Sequence, residues 1–177
     1  VVYAGVALLG VGLDVATKVL VVRHLEPGVP VQVAGHLLQL RLIRNPGAAF
    51  SLGERVTPVF AVLSLLVLVF VIARLVPRLG HRGWGVALGL LSAGVAGNLV
   101  DRIIRPPGVF RGHVVDFLQL PHWPIFNVAD MCITSAAVLI VVLAIVRNVA
   151  ISGQHYPKPE RTRTGPTPEP RQVADDE

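Results

Sequence analysis

Four stretches of the chain, approximately 1–22, 57–76, 84–104 and 126–147, stay apolar for the length of a membrane-crossing helix, about 20 residues for a ~30 Å hydrocarbon core. The second and fourth are almost pure Val, Leu, Ile, Ala and Phe. A helix that is hydrophobic on every side belongs in lipid. Between the first two stretches the period changes. Val31-Gln32-Val33 and Leu38-Gln39-Leu40-Arg41-Leu42 alternate apolar and polar residues, the spacing of a half-buried strand, and Ala34-Gly35-His36 predicts the turn between them. Pro46 and Gly47 then end regular structure. The predicted fold class is an all-α membrane protein, four transmembrane helices with a small β-element at the membrane surface. In the third stretch Gly85, Gly89, Ala93 and Gly97 recur every four residues. That is a small-residue ridge predicted to receive a neighbouring helix backbone, with Leu90 on a looser face.

Composition agrees. The 177 residues are 53% hydrophobic and 15% charged, with a mean hydropathy of +0.63, too apolar for an ordinary soluble domain. The first stretch is too long for a signal-peptide core and no small-x-small site follows it. From 148 onward the character changes: Pro157, Pro159, Pro166, Pro168 and Pro170 alternate with charges. The reading is a membrane domain over 1–150 and a disordered tail over 151–177. The net charge of +5 comes without a basic stripe or interleaved aromatics, which argues against nucleic acid. A single cysteine, Cys132, excludes an internal disulfide, and its apolar setting suits a buried thiol. The histidines lack ligand spacing, so neither a metal nor another cofactor is expected. The basic residues divide eight to eight between the two sides of the membrane, so the positive-inside rule leaves orientation open.

Against that background, Asp14, Asp101, Asp116 and Asp130 stand out, inside or at the ends of apolar runs. A carboxylate at a helix centre in lipid costs roughly 2.5–3.5 kcal/mol on insertion scales, so each needs a partner or a task. Asp116 and Asp130 are separated by a short polar-aromatic stretch. Two readings are open. They form an acid–base pair that hydrolyses a substrate at the membrane, or one pairs with an arginine while the other caps the fourth helix. Asn98, Asp101 and Arg102 either support that site or act as polar glue between helices. Asn45 and Asn127 offer amide N–H donors, or turn and N-cap chemistry. Asn127 and Asp130 share a helix face, as do Asp14 and Lys18 at i and i+4, the latter an ion pair suited to holding a bundle together. A proton-coupled transporter is the rival class. It requires polar residues through the whole span, and the two halves show no repeat, whereas here the polar residues gather at one end.

The motifs Asp14-x3-Lys18, Arg44-Asn45-x-Gly47-Ala48-Ala49-Phe50, Gly97-Asn98-x2-Asp101-Arg102, Val114-Val115-Asp116-Phe117 and Phe126-Asn127-x-Ala129-Asp130 together resemble the lipoprotein signal peptidases (signal peptidase II). The resemblance covers about residues 3–147, in order and with similar gaps. It implies a four-helix aspartyl endopeptidase of the bacterial inner membrane. Its substrate would be a diacylglyceryl-modified prolipoprotein, held in contact with membrane lipid and cut just before the lipidated cysteine. It further implies that Asp116 and Asp130 are the catalytic dyad, supported by Asp14, Lys18, Asn45, Gly47, Asn98, Asp101, Arg102, Asn127 and Ala129. Termini would be cytoplasmic, with loops 23–56 and 105–125 outside. Pro46 should stiffen its loop, and the insert Pro106-Pro107-Gly108-Val109-Phe110 lengthens the second loop.

Overall fold

In a computed structural model of the protein, residues 1–47 and 56–155 are described. Four helices long and apolar enough to cross a membrane are found among them. They are α1 (Val2–His24), α2 (Thr57–Phe70, prolonged to Arg78 by a π-helical and a 3-10 turn), α3 (Arg82–Ile104) and α4 (Val128–Val141, prolonged as a π-helix through Val146). All agree with the predicted stretches to within a few residues. Pro58 opens α2, where a missing N–H costs nothing. Asn127 caps α4 through a capping box with Asp130.

The most buried of the four is α3, packed against each of the others. The small-residue ridge does face a helix, and that helix is α1. A Cβ on Gly89 would lie 2.9 Å from the Tyr3 carbonyl, one on Gly97 2.5 Å from Asp14 Oδ2, and one on Gly10 of α1 2.5 Å from the Ala93 Cβ. Close approach without side chains is how helices associate where lipid removes the hydrophobic drive. A second contact lies off the ridge. A Cβ on Gly94 would stand 2.3 Å from the Ala129 carbonyl, so α4 is seated as tightly on a different face of α3. Outward-facing residues such as Leu8, Leu9, Leu63, Leu66, Val138 and Ile145 are exposed and apolar, as a lipid-facing surface must be.

The predicted hairpin is present as β1 (Val31–Ala34) and β2 (Leu38–Asn45), with Gly35 at φ +55° in the turn. The second loop, for which no strand was predicted, holds a third strand, β3 (Val114–Gln119), antiparallel to β2 in a sheet of order β1-β2-β3. Residues 114–117 are buried on both faces, so no alternation betrays them as strand. Val115 and Phe117 pack with Leu42 and with Val21 of α1, which seats the sheet on the end of the bundle. Leu118 then bridges Phe126, and this return delivers the chain directly into α4.

Beyond α4 the described chain continues through His155 and is hydrogen-bonded back to the bundle. Asn148 turns at φ +52°, Trp84 Nε1 donates to the Val149 carbonyl at 2.9 Å, and the Gly80 N–H donates to the Ile151 carbonyl at 3.0 Å. Val149 joins Val71, Trp84, Leu88 and Leu143 in an apolar cluster. The composition of 148–155 gives no sign of this hook, because its bonds are made by backbone carbonyls. Residues 156–177 lie outside the described residues.

Two stability tests follow from this packing. Gly89→Leu and Gly94→Leu should each lower the melting temperature in detergent clearly more than Leu90→Ala, since overpacking a tight contact costs about 1–3 kcal/mol or more. Parent-like melting of Gly89→Leu would show that α1 and α3 do not touch there. A chain ended after Asn148 should melt lower than one ended after His155, because the Trp84 indole loses its acceptor, a loss of about 1–3 kcal/mol for a buried donor.

Candidate active site

The polar residues of five elements converge where the sheet meets the ends of α1, α3 and α4. Asp116 sits on β3 and is 3% exposed. In the strand register Val114 faces Asn45 and Asp116 faces Ile43, so Asn45 and Asp116 are diagonal neighbours on one face of the sheet. Asn45 Nδ2 donates to Asp116 Oδ2 at 2.8 Å. The Gly47 N–H donates to Asn45 Oδ1 at 2.8 Å and fixes the amide in that sense. Gly47 does so at φ +108°, a conformation that suits a residue without a Cβ. Ala48, Ala49 and Phe50 of the same motif lie outside the described residues.

Asp130 occupies the third position of α4. Its N–H donates to Asn127 Oδ1 at 3.0 Å, and its own Oδ2 accepts from the Asn127 N–H at 3.1 Å. Its other oxygen accepts from Asn98 Nδ2 at 2.9 Å. Asn127 Nδ2 reaches across to Asp116 Oδ1 at 2.6 Å. One asparagine therefore touches both carboxylates, and its two roles, N-cap and amide donor, hold together. Of the two open readings, Asp130 does cap α4; the hydrogen-bond donors to Asp116 among the described residues are the Asn45 and Asn127 amides, with the Arg102 charge acting on it from nearby.

Behind the carboxylates lies a buried ionic layer. Lys18 Nζ stands 2.8 Å from Asp14 Oδ2 and 2.8 Å from Asp101 Oδ2, and donates to Asn98 Oδ1 at 3.1 Å. Asp14 Oδ1 accepts from the Ala129 N–H at 2.8 Å and Asp101 Oδ2 from the Val115 N–H at 3.2 Å. Ala129 is fully buried, its small side chain against Gly97. Arg102 donates to the Asn98 carbonyl at 3.3 Å and lies over the Phe60 ring, 5.9 Å from its centre. Every residue singled out in the sequence for this site thus lies in one connected cluster. Three neighbours escaped it. Arg105 pairs with Asp101 and was signalled by their i,i+4 spacing. Thr57 donates to the Pro46 carbonyl and ties α2 to the loop, and Phe60 floors Arg102; neither had a signal in its motif. Cys132 is buried in α4. No cluster of metal-ligating side chains occurs among the described residues.

Burial pushes the Asp116 carboxyl from an ordinary 3.8 up to about 6. The hydrogen bond from Asn45 opposes the rise, and the neighbouring charge of Asp130 adds to it. Paired carboxylates in unlike surroundings are the means of general acid–base work. Fold and site together define a membrane-spanning protein with the equipment of an aspartic hydrolase. The chain belongs to the signal peptidase II family: the family model described as Signal peptidase (SPase) II matches residues 6–146. It is 46% identical over 145 residues to the lipoprotein signal peptidase of Rhodococcus jostii, covering 82% of this chain and 71% of that one. With that of Streptomyces coelicolor it shares 48% over 139 residues, covering 78% and 68%. Among solved structures it is similar to a bacterial membrane enzyme determined at 1.9 Å, with a TM-score of 0.68 and 27% identity over 81% of this chain and 92% of that chain.

The raised Asp116 value has a sign. Its ionised form is less favoured in the fold than in the unfolded chain, so this group costs nothing below about pH 4 and reaches its full penalty above about 6. Stability should therefore fall as pH rises through that window, by at most about 3 kcal/mol from this group. Melting in detergent between pH 4 and 7.5 should show a downward component in the parent that is missing from Asp116→Asn. Equal slopes in the two proteins would refute it.

Proposed function

We propose that Asp116 and Asp130 carry out the hydrolysis in this membrane signal peptidase II, an aspartic peptidase that removes prolipoprotein signal peptides. The bond cut is the one just before a diacylglyceryl-modified cysteine. The observation that carries the reading is Asn127 holding both carboxylates at once, at the end of a membrane-spanning bundle.

Charge balance supports one proton on the pair. Around it stand Lys18, Arg102 and Arg105 against Asp14 and Asp101, so a single net negative charge on Asp116 and Asp130 leaves the cluster neutral, as low-dielectric surroundings favour. Asp116, the more buried, holds the proton. Asp130, in the first turn of α4, keeps the charge beside the positive end of the helix dipole. Asp130 then takes a proton from water as the water attacks the scissile carbonyl, and Asp116 donates to the carbonyl oxygen. Collapse of the tetrahedral intermediate returns a proton to the leaving amine. The acyl chains of the substrate cysteine remain in the bilayer while its peptide bond meets the pair.

The ionic layer also bears on orientation. On the site side, Lys18 and Arg105 are consumed by buried carboxylates. At the opposite end Arg74, Arg78, Arg82 and Arg147 are exposed with no described carboxylate among them. Discounting the paired charges tips the eight-to-eight count towards that end, which supports reading it as cytoplasmic and the site as near the outer face.

Asp116→Asn and Asp130→Asn should each lower cleavage of a diacylglyceryl prolipoprotein peptide by at least about 100-fold in folded protein, the scale of lost general acid–base catalysis. Turnover near the parent's in either variant would remove it from the pair. Chelation with EDTA and Cys132→Ala should each leave turnover within about twofold, far below the tenfold that ~1.4 kcal/mol represents. Loss on chelation, restored by a divalent ion, would overturn the aspartyl mechanism.

A further inference from the structure

We propose that Lys18, on a helix that carries neither reacting aspartate, is a positioning residue that sets how Asp116 and Asp130 face each other. The proposal rests on the assignment of those two as the catalytic pair. Lys18 Nζ stands in ion-pair contact with Asp14 Oδ2 and Asp101 Oδ2 and donates a hydrogen bond to Asn98 Oδ1, so three groups answer to one ammonium. What each group does next is the substance of the inference. Asp14 grips the N–H of Ala129, the residue before Asp130. Asp101 grips the N–H of Val115, the residue before Asp116. Asn98, its oxygen committed to Lys18, turns its Nδ2 onto Asp130 itself. A single buried charge thus holds the backbone beside both aspartates and the amide that contacts one of them.

The Asn98 amide makes the point sharpest. Its Oδ1 also accepts from Asn127 Nδ2 at 3.1 Å. Flipped, it would set an oxygen against Asp130 Oδ1 and an amide against Lys18, two repulsive contacts in place of two bonds. Lys18 is 1% exposed, so water has no access to replace it. The charged groups facing this layer are Asp14 on α1, Asp101, Arg102 and Arg105 on α3, Asp116 on β3 and Asp130 on α4.

Lys18 as plain glue between α1 and α3 predicts that activity follows stability. Lys18 as a positioning residue predicts that the two separate. The test compares the full-length parent, Lys18→Met, and Lys18→Met combined with Asp14→Asn, which restores the charge balance and keeps an acceptor for Ala129. Melting in detergent, kcat, KM and the pH profile of kcat on a diacylglyceryl prolipoprotein peptide are measured. The single variant should lose both melting temperature and activity. The double variant should regain most of the melting loss yet keep kcat at least about 100-fold down, the scale of a ~1 Å misplacement of reacting groups. KM should stay within about threefold, since the defect is one of orientation. The acid limb of its kcat profile should move to higher pH, because the pair has lost an ordered donor. If kcat and the parental pH profile return together with stability, or if the double variant does not fold, Lys18 is glue and the proposal fails. That failure is separate from failure of the pair, which Asp116→Asn and Asp130→Asn decide in the same assay.

Discussion

An ammonium buried at membrane depth between two carboxylates is the constraint from which the rest of this protein's polar end follows. Lys18, Asp14 and Asp101 are each at most 1% exposed. Removing one member of such a group strands a charge, at a cost of about 3–5 kcal/mol. The contact at 2.8 Å on both sides demands that α1 and α3 lie close together, and that demand explains the glycines. With Gly97 directly against Asp14, any larger residue would occupy the space of the carboxylate. The small-residue ridge and the ion triplet are one device seen at two levels, packing and charge.

The same layer reaches the chemistry through backbone amides rather than through side chains alone. Asp14 and Asp101 hold α4 and β3 at the residues next to Asp130 and Asp116. With Asp116 and Asp130 as the proposed pair, preorganisation of this kind fixes them before substrate arrives, where hydrolysis gains most from it. The two carboxylates then differ by the elements that bear them. Asp116 lies on a strand buried on both faces, which raises its carboxyl to about 6. Asp130 lies in the first turn of a helix and is only partly buried. Unlike surroundings divide an acid from a base.

Away from this end the bundle is bare. The outer faces of α2 and α4 carry apolar residues turned to lipid. The far end is closed by the hook after α4, whose bonds to Trp84 and Gly80 fasten it to α3 and the α2–α3 connection. Polar groups confined to one end suit a membrane peptidase better than a conduit across the membrane.

By itself the sequence determined the four spans, the β1–β2 hairpin, the small-residue ridge of the third span and every aspartate and asparagine of the site, because these depend on period and on the cost of a polar group in an apolar run. It was blind to β3, whose residues 114–117 are apolar or buried on both faces and so lack alternation, and to the hook, whose bonds are made by backbone. Nor did it separate support from glue at Asn98 and Asp101, or foresee Thr57 and Phe60 as neighbours of the site. Spacing along a chain says which residues share a face of one element. Which faces meet, and therefore that Asp14 bonds the backbone of residue 129 while Lys18 orients Asn98, depends on helix crossing and strand register. Only the folded arrangement of α1, α3, β3 and α4 decided those.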